Sequence, residues 1–447
     1  MMVERENLVE QIKIAIQSQQ YEQANHLLQY LNAADIALVL QQFKPSTQVQ
    51  LLHLLGNKAD VFSFYSPAER VKLAEQLNIA DLVEIIEQMH SDDSADLVKA
   101  LSPIVQKQLY TRLSLNKRLQ IRSLVAYQEE SAGAIMSLDV ATLPAEITIQ
   151  QAIEQLRQDT SNPDTLYQIY IVNEHKQLQG VISLREMILA NPEDIIADVM
   201  HKEVIYAHVD DDQESVAKKL SYYDFIALPI VNDQMQLLGI VTYDDALDVV
   251  SEEATEDFLK AGAVNANSKL SLKTAPIFQL YQKRVFWLVF LVFGSLLSGF
   301  GIAHFEDIIA TNLVLVFFLP LLVGSGGNAG SQSATLMVRA LATGDVHFKD
   351  WFYLIGRESL VALCLGATMA IAVSALGYYR GDEMVALVLA LSMMAIVMLG
   401  CLIGMSLPFI LNRMGLDPAS ASAPLVTSIC DASGVLVYLF IASQLLL

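Results

Sequence analysis

Pro320-Leu-Leu-Val-Gly-Ser-Gly-Gly-Asn-Ala-Gly-Ser-Gln-Ser-Ala-Thr335, followed shortly by Arg339-Ala-Leu-Ala-Thr-Gly-Asp345, lies within an uncharged run over residues 308–338. A run of that length crosses roughly 30 Å of hydrocarbon as a helix. Inside it, Gly324, Gly326, Gly327 and Gly330 alternate with small hydroxyl and amide side chains. Two readings follow. The small residues form a seam against a neighbouring helix, or they let backbone and side-chain oxygens face a water-filled path.

Working outward, uncharged stretches also cover residues 285–303, 359–379 and 384–412. A fifth apolar span, residues 419–447, contains one acid, Asp431, with Thr427 a turn before it and Gly434 just after. A carboxylate at bilayer depth costs about 2.5 to 3.5 kcal/mol on insertion scales, so an ion or proton pathway is the first hypothesis. A helix-end Asp that snorkels to water, or a neutral Asp bonded to its neighbour, is the plain alternative.

Residues 284–447 carry 6 Lys+Arg against 9 Asp+Glu of the chain's 28 and 49, which leaves 22 against 40 for residues 1–283. The acidity therefore belongs to the soluble part. It excludes nucleic acid as a partner and fits either cation binding or plain solubility. Lys283, Arg284, Arg339, Lys349, Arg357 and Arg413 fall on one side of the membrane under alternating threading, with Arg380 on the other. That bias predicts cytoplasmic N-terminal domains and a C-terminus outside. The opening MMVERENLVEQIKIAIQ is amphipathic and does not read as a signal peptide. Cys364, Cys401 and Cys430 lie in spans without metal-ligand spacing and read as packing residues with no disulfide.

The soluble part divides in two. Residues 1–128 keep helical periodicity, with helix starts expected at Ser66-Pro67-Ala68-Glu69, Ser91-Asp92-Asp93-Ser94 and Ser102-Pro103, an α-solenoid-like pattern. Residues 168–187 and 227–246 are then two copies of strand, polar turn, glycine, strand and helix start: Ile171-Val172-Asn173 repeats as Ile230-Val231-Asn232, Gly180 as Gly239, Ser183 as Thr242 and Glu186 as Asp245. This repeat resembles a tandem CBS pair, a module that often holds an adenine nucleotide between its copies. The segment after it runs from acidic to basic, as suits a helix reaching the membrane face.

The motif P-x-L-x-G-x-G-G-N-x-G-x-Q-S-A-T-L-x-x-R-A-L-A, with D-P-A-x-x-x-x-P-L-V-x-x-x-x-D-x-x-G over 417–434 and Ala254-Thr255-Glu256-Asp257 ahead of the spans, resembles the MgtE family of magnesium channels over nearly the whole chain. The resemblance implies a multidomain α plus α/β chain with a polytopic α-helical membrane domain. Its parts are a helical N-domain (1–128), CBS 1 (129–195), CBS 2 (196–250), a connecting plug helix (251–283) and a five-helix pore domain (284–447). It implies a homodimer in the cell inner membrane, with Asp431 as the selectivity acid on the two-fold axis and Thr427 beside it. Pro424 is expected to free the Ser420 carbonyl near the mouth. Ala423 stands where the family often carries Asn, and Ser331 where some relatives carry a second Asn. Regulatory Mg²⁺ is implied at Asp92, Asp96, Asp212, Glu214, Asp224, Asp245, Asp248, Glu253, Glu256, Asp257 and Asp417, closing the pore when cytosolic Mg²⁺ is plentiful. ATP is implied at Arg185, Glu186 and Phe225, where Glu replaces the more usual Asp. The competing functions are an ion-coupled secondary transporter of divalent cations and a membrane-anchored metal or nucleotide sensor. An enzyme is not expected, because no Walker motif, nucleophile elbow or H-E-x-x-H occurs.

Overall fold

The computed structural model describes residues 2–158, 165–264, 275–346 and 348–446. Two compact units result, Met1–Ser251 and Glu252–Leu447.

In the first unit, short helices follow one another and each packs on the next but one: Ala33–Leu40 on Lys58–Ser63, that helix on Ile79–Gln88, and that in turn on Pro103–Arg112. Local chemistry sets the starts. Asn32 and Asn78 accept from the Asp35 and Asp81 amides, and Ser66 with Glu69 forms a reciprocal capping box ahead of Pro67. Ser91 departs from its expected role. His90 is the cap of helix Ser91–Ala100, and buried Ser91 instead takes the Leu138 amide (2.7 Å) and lies 3.2 Å from the Ser137 hydroxyl. Its hydroxyl joins the N-domain to the CBS region rather than closing a helix end.

The repeat offset of 59 is visible as strand register. One sheet orders β1 (Val140–Leu143), β2 (Thr165–Val172) and β3 (Leu178–Ser183); the other orders β4 (Ala207–His208), β5 (Ala227–Val231) and β6 (Leu237–Thr242). In each, the first pair is parallel and the second antiparallel, with Ile171 opposite Gly180 in one copy and Ile230 opposite Gly239 in the other. The β2–β3 and β5–β6 turns pair across copies, Leu178 N–H to the Met235 carbonyl and Leu237 N–H to the Lys176 carbonyl, both at 2.9 Å. A side chain at Gly239 would collide with the Ser137 carbonyl, which explains the glycine.

Helix Tyr243–Ala261 opens directly after β6 and ends where Gly262 and Ala263, at φ +56°, turn the chain. Of the connecting segment expected over 251–283, this helix supplies residues 251–261. It begins within the second CBS copy and stops early; residues 265–274 lie outside the described residues.

The second unit holds five helices long and apolar enough to cross a membrane: Ile277–His304, Val314–Ala342, Trp351–Arg380, Glu383–Arg413 and Ala423–Leu446. Four of them, the first, second, third and fifth, start four or more residues from the start of their apolar runs. The first takes Lys283 and Arg284 into its opening turns, the third takes Arg357 and Glu358, and the second is preceded by a separate short helix, Glu306–Thr311. Long basic side chains near a helix end reach the interface, so counting from the first charge truncates the helix. The fifth starts at Ala423, so Pro424 sits in its first turn. The N–H that proline lacks has no intrahelical partner there, and no Ser420 carbonyl is freed. Cys401 and Cys430 are buried as packing residues; Cys364 is exposed, and all three are free.

The glycine run of the second helix packs mainly on the fourth. A Cβ at Gly400 would strike the Gly326 carbonyl, one at Gly404 the Gly330 carbonyl, and one at Gly330 would lie 2.9 Å from the Gly400 carbonyl. Backbone meets backbone along this face, as small-residue membrane seams require. The Tyr438 hydroxyl donates to the Leu315 carbonyl at 3.0 Å and fixes the fifth helix to the start of the second.

Candidate ion pathway and regulatory acids

Asp431 lies eight residues into the fifth helix, about 12 Å along its axis at 1.5 Å per residue. It is half-buried against the second helix at Gly327. A Cβ built at Gly327 would be 2.9 Å from the Thr427 methyl and 3.3 Å from Asp431 Oδ1. The glycines divide by neighbour: Gly326 meets the fourth helix, Gly330 meets both the fourth at the Gly400 carbonyl and the fifth at Cys430, and Gly327 leaves room for Thr427 and the Asp431 carboxylate. One turn from Asp431, the Thr427 and Ser331 hydroxyls share a hydrogen bond of 3.0 Å, and Ser331 also donates to the Ala423 carbonyl at 3.3 Å. Ser331 therefore supplies an oxygen to the same face. Asp431 Oδ1 is buried and has no hydrogen-bond partner among the described residues. A buried acceptor left unpaired costs about 1 to 3 kcal/mol, more if charged, so the position is held against its own stability.

A second carboxylate, Glu358, escaped the sequence reading because it sits one residue outside the uncharged run. The buried Ser333 hydroxyl donates to Glu358 Oε1 at 2.5 Å. Ser333 and Ser331 are two residues apart, so they point about 200° apart around the helix. Glu358 therefore belongs to the face of the second helix turned away from Asp431. The signal available was the apolar Trp351-Phe-Tyr-Leu-Ile ahead of it, which continues the helix backwards.

The soluble acids separate by what already holds them. Asp212 caps helix Gln213–Tyr223, accepting from the Glu214 and Ser215 amides at 3.0 and 3.2 Å; Asp224 closes the same helix in the left-handed conformation, φ +53°. Glu214 pairs with Lys218 at 2.7 Å. Asp245 is bonded by the Thr242 hydroxyl at the start of the connecting helix. Asp92 and Asp96 share one face of helix Ser91–Ala100, Asp92 half-buried and Asp96 exposed. Asp248 has its carboxyl pushed up by burial, against the pull of Arg70, with Asp244 and Asp93 adding repulsion. Asp93 and Asp244, absent from the residues picked out by sequence, thus complete an acidic patch around Asp248, with Arg70 bonded to Asp93. Glu253 and Asp257 lie on the same connecting helix as Glu256.

Within the second unit, Lys260 Nζ is 2.6 Å from Glu256 Oε1 and 2.6 Å from Asp417 Oδ2. Burial pulls the ammonium down, but its bonds to Asp417 and Glu256 more than reverse that and hold it raised. Asp417 Oδ1 accepts from the Ala419 amide at 2.8 Å.

Among the nucleotide candidates, Arg185 and Glu186 open helix Leu184–Leu189 in the first CBS copy, and Phe225 follows Asp224 in the second. Glu186 Oε2 takes the Ser183 N–H and hydroxyl at 2.8 and 2.7 Å, and Oε1 meets His201 Nε2 at 2.6 Å. Burial raises this carboxyl, yet the His201 and Ser183 bonds bring it down to about 2. Phe225 stacks on Tyr223 with centroids 5.4 Å apart.

Comparison with known proteins agrees over the full length. The family model described as a divalent cation transporter, MgtE, matches residues 319–441, that of the MgtE intracellular N domain matches 31–130, and CBS domain models match 132–193 and 196–252. The magnesium transporter MgtE of Thermus thermophilus is 35% identical over 446 residues, 99% of either chain, and that of Bacillus subtilis is 33% identical over 79% of this chain and 78% of its own. The crystal structure of the cytosolic domain of the Mg²⁺ channel MgtE in complex with ATP is 32% identical, with a TM-score of 0.52, and covers 54% of this chain and 99% of its own. The members of that family are transporters rather than enzymes. The chain is a multi-pass membrane protein of the MgtE family of magnesium transporters.

Proposed function

We propose that the chain is a Mg²⁺ channel working as a homodimer, in which Asp431 of each copy faces the other across the two-fold axis. The carrying observation is the unpartnered Asp431 oxygen set beside Gly327, Thr427 and Ser331. One carboxylate leaves a dication half-neutralised; two match it. Mg²⁺ takes hard oxygen donors and gives up its waters reluctantly, so two carboxylates flanked by hydroxyls suit the hydrated ion. Basic residues flanking the spans support cytoplasmic N-terminal domains and an external C-terminus. Asp431→Asn is expected to abolish Mg²⁺ uptake into proteoliposomes while leaving dimer assembly by light scattering unchanged; normal flux in that variant sinks the assignment.

Cytosolic Mg²⁺ closes this channel by binding the acids of the soluble domains and those of the connecting helix. The like charges of Asp93 and Asp244 near Asp248, offset in part by Arg70, support that reading, since a dication adds counter-charge there. A dication binding better to the compact arrangement shifts the population toward it, and a near-complete switch takes about 5.5 kcal/mol of differential binding, hence several sites. Neutralising Asp245, Asp248 and Glu256 together should preserve conduction and remove inhibition by internal Mg²⁺ in patch recordings. ATP binds between the CBS copies, with adenine on Phe225, Arg185 at the phosphates and the ribose hydroxyls on Glu186. The ribose replaces His201 at Oε1, while Ser183 keeps Oε2.

A further inference from the structure

Asp417 divides its carboxylate: Oδ1 holds the Ala419 amide in the turn Pro418–Ser420 that leads into the fifth helix, and Oδ2 holds Lys260. Lys260 spans one turn of the connecting helix to Glu256 as well. A single ammonium thus ties the end of that helix to the base of the helix carrying Asp431. Both contacts, at 2.6 Å, are short charge-assisted bonds, stronger than neutral ones.

We propose that Lys260 is an internal cation latch, clamping Glu256 and Asp417 together without any metal, so that a divalent ion acts at this pair only by displacing the ammonium. The inference rests on the reading of Glu256 and Asp417 as regulatory acids and deepens it. A metal ion bound between the same two oxygens sits about 2.1 Å from each and leaves no room for an ammonium there. The four-carbon stem of lysine lets the charge swing out to water as the ion enters. One positive charge against two carboxylates leaves the latch under-neutralised, and a dication balances it. The ammonium therefore sets the concentration at which the divalent ion takes over.

The test is hydrogen exchange in the full-length protein in nanodiscs, following the amides of residues 256–262 and 419–421 with EDTA and across a Mg²⁺ titration. In EDTA, Lys260→Met should exchange about fivefold faster in both segments, the factor a partly exposed ion pair near the top of its range supplies. Mg²⁺ should restore its protection, at a midpoint lower than wild type by a similar factor. Lys260→Arg should stay near wild type. Asp417→Asn, which keeps the oxygen that caps Ala419, should lose protection as Lys260→Met does but regain none with Mg²⁺. Unchanged exchange of Lys260→Met in EDTA overturns the latch, and an unshifted Mg²⁺ midpoint overturns the displacement. If wild-type currents ignore cytosolic Mg²⁺ while the exchange pattern holds, the gating reading falls and the latch stands.

Discussion

Gly327→Ala is the most discriminating single change the membrane unit offers. Its new methyl would lie 2.9 Å from the Thr427 methyl carbon, whereas carbon atoms rest about 3.5 to 4.0 Å apart, so one must give by at least ~0.6 Å. Thr427 is β-branched and stiff, and its hydroxyl is engaged with Ser331. It yields by breaking that bond or by pushing the fifth helix and Asp431 away. Overpacking of this size costs about 1 to 3 kcal/mol of stability when it is not relieved, and relief by moving the fifth helix shifts Asp431 and should lower flux about tenfold on the proposed pathway. Two neighbours are controls. Gly324→Ala meets nothing within 4 Å and, by helix propensity, should hold or slightly raise stability with normal flux. Gly400→Ala drives into the Gly326 carbonyl and should lower folded yield outright. Flux is measured with a Mg²⁺-sensitive dye in proteoliposomes at matched protein density, and stability by thermal unfolding in detergent. Equal flux for Gly327→Ala and Gly324→Ala, or a Gly327→Ala loss explained wholly by unfolding, would refute the division of the glycine run between seam and pathway.

Lys58 is nearly buried and shared by Asp81 at 3.2 Å and Glu84 at 2.8 Å; Lys58→Met leaves Asp81 to His53, at 2.7 Å, and Asn78, and should cost about 1 to 2 kcal/mol, read from urea unfolding of the N-domain helices. Glu186→Gln should speed amide exchange at residues 183–189 near neutral pH. Because the native carboxyl is depressed from 4.5 to about 2, its stabilisation is full above the unfolded value and fades as pH falls between them. Wild type and variant should therefore converge at the acid end of that window, and a gap that persists there would remove the carboxylate from the account.

Patterns local to one element were the legible part. The offset of 59 between CBS copies became identical strand register, because a two-residue alternation fixes which side chains face inward and leaves little freedom once Gly180 and Gly239 are aligned. Asp431 stood out because an acid in an apolar span needs a reason. Where a helix begins was less legible: the uncharged runs missed Arg357 and Glu358 in the third span, since charges within the first turns reach water or a partner and do not end a helix. Ser91 had the residue type of a cap, yet packing against Ser137 claimed its hydroxyl.

Pairings between distant parts had no local signature at all. Lys260 and Asp417 are 157 residues apart, and although a local motif marked Asp417, nothing beside either residue names the other as its partner. The same holds for the glycines. Gly326 and Gly327 are adjacent and chemically identical, and 100° of helix rotation sends one against a carbonyl of the fourth helix and the other toward Asp431. Their roles are set by which helices lie on either side, information carried by Gly400, Gly404 and Thr427 far along the chain. On the pathway proposed above, a motif so dense in small residues interleaves two functions on one helix. Substitutions in it should sort by rotation angle rather than by position in the run, those facing the fourth helix failing in assembly and those facing the fifth failing in transport.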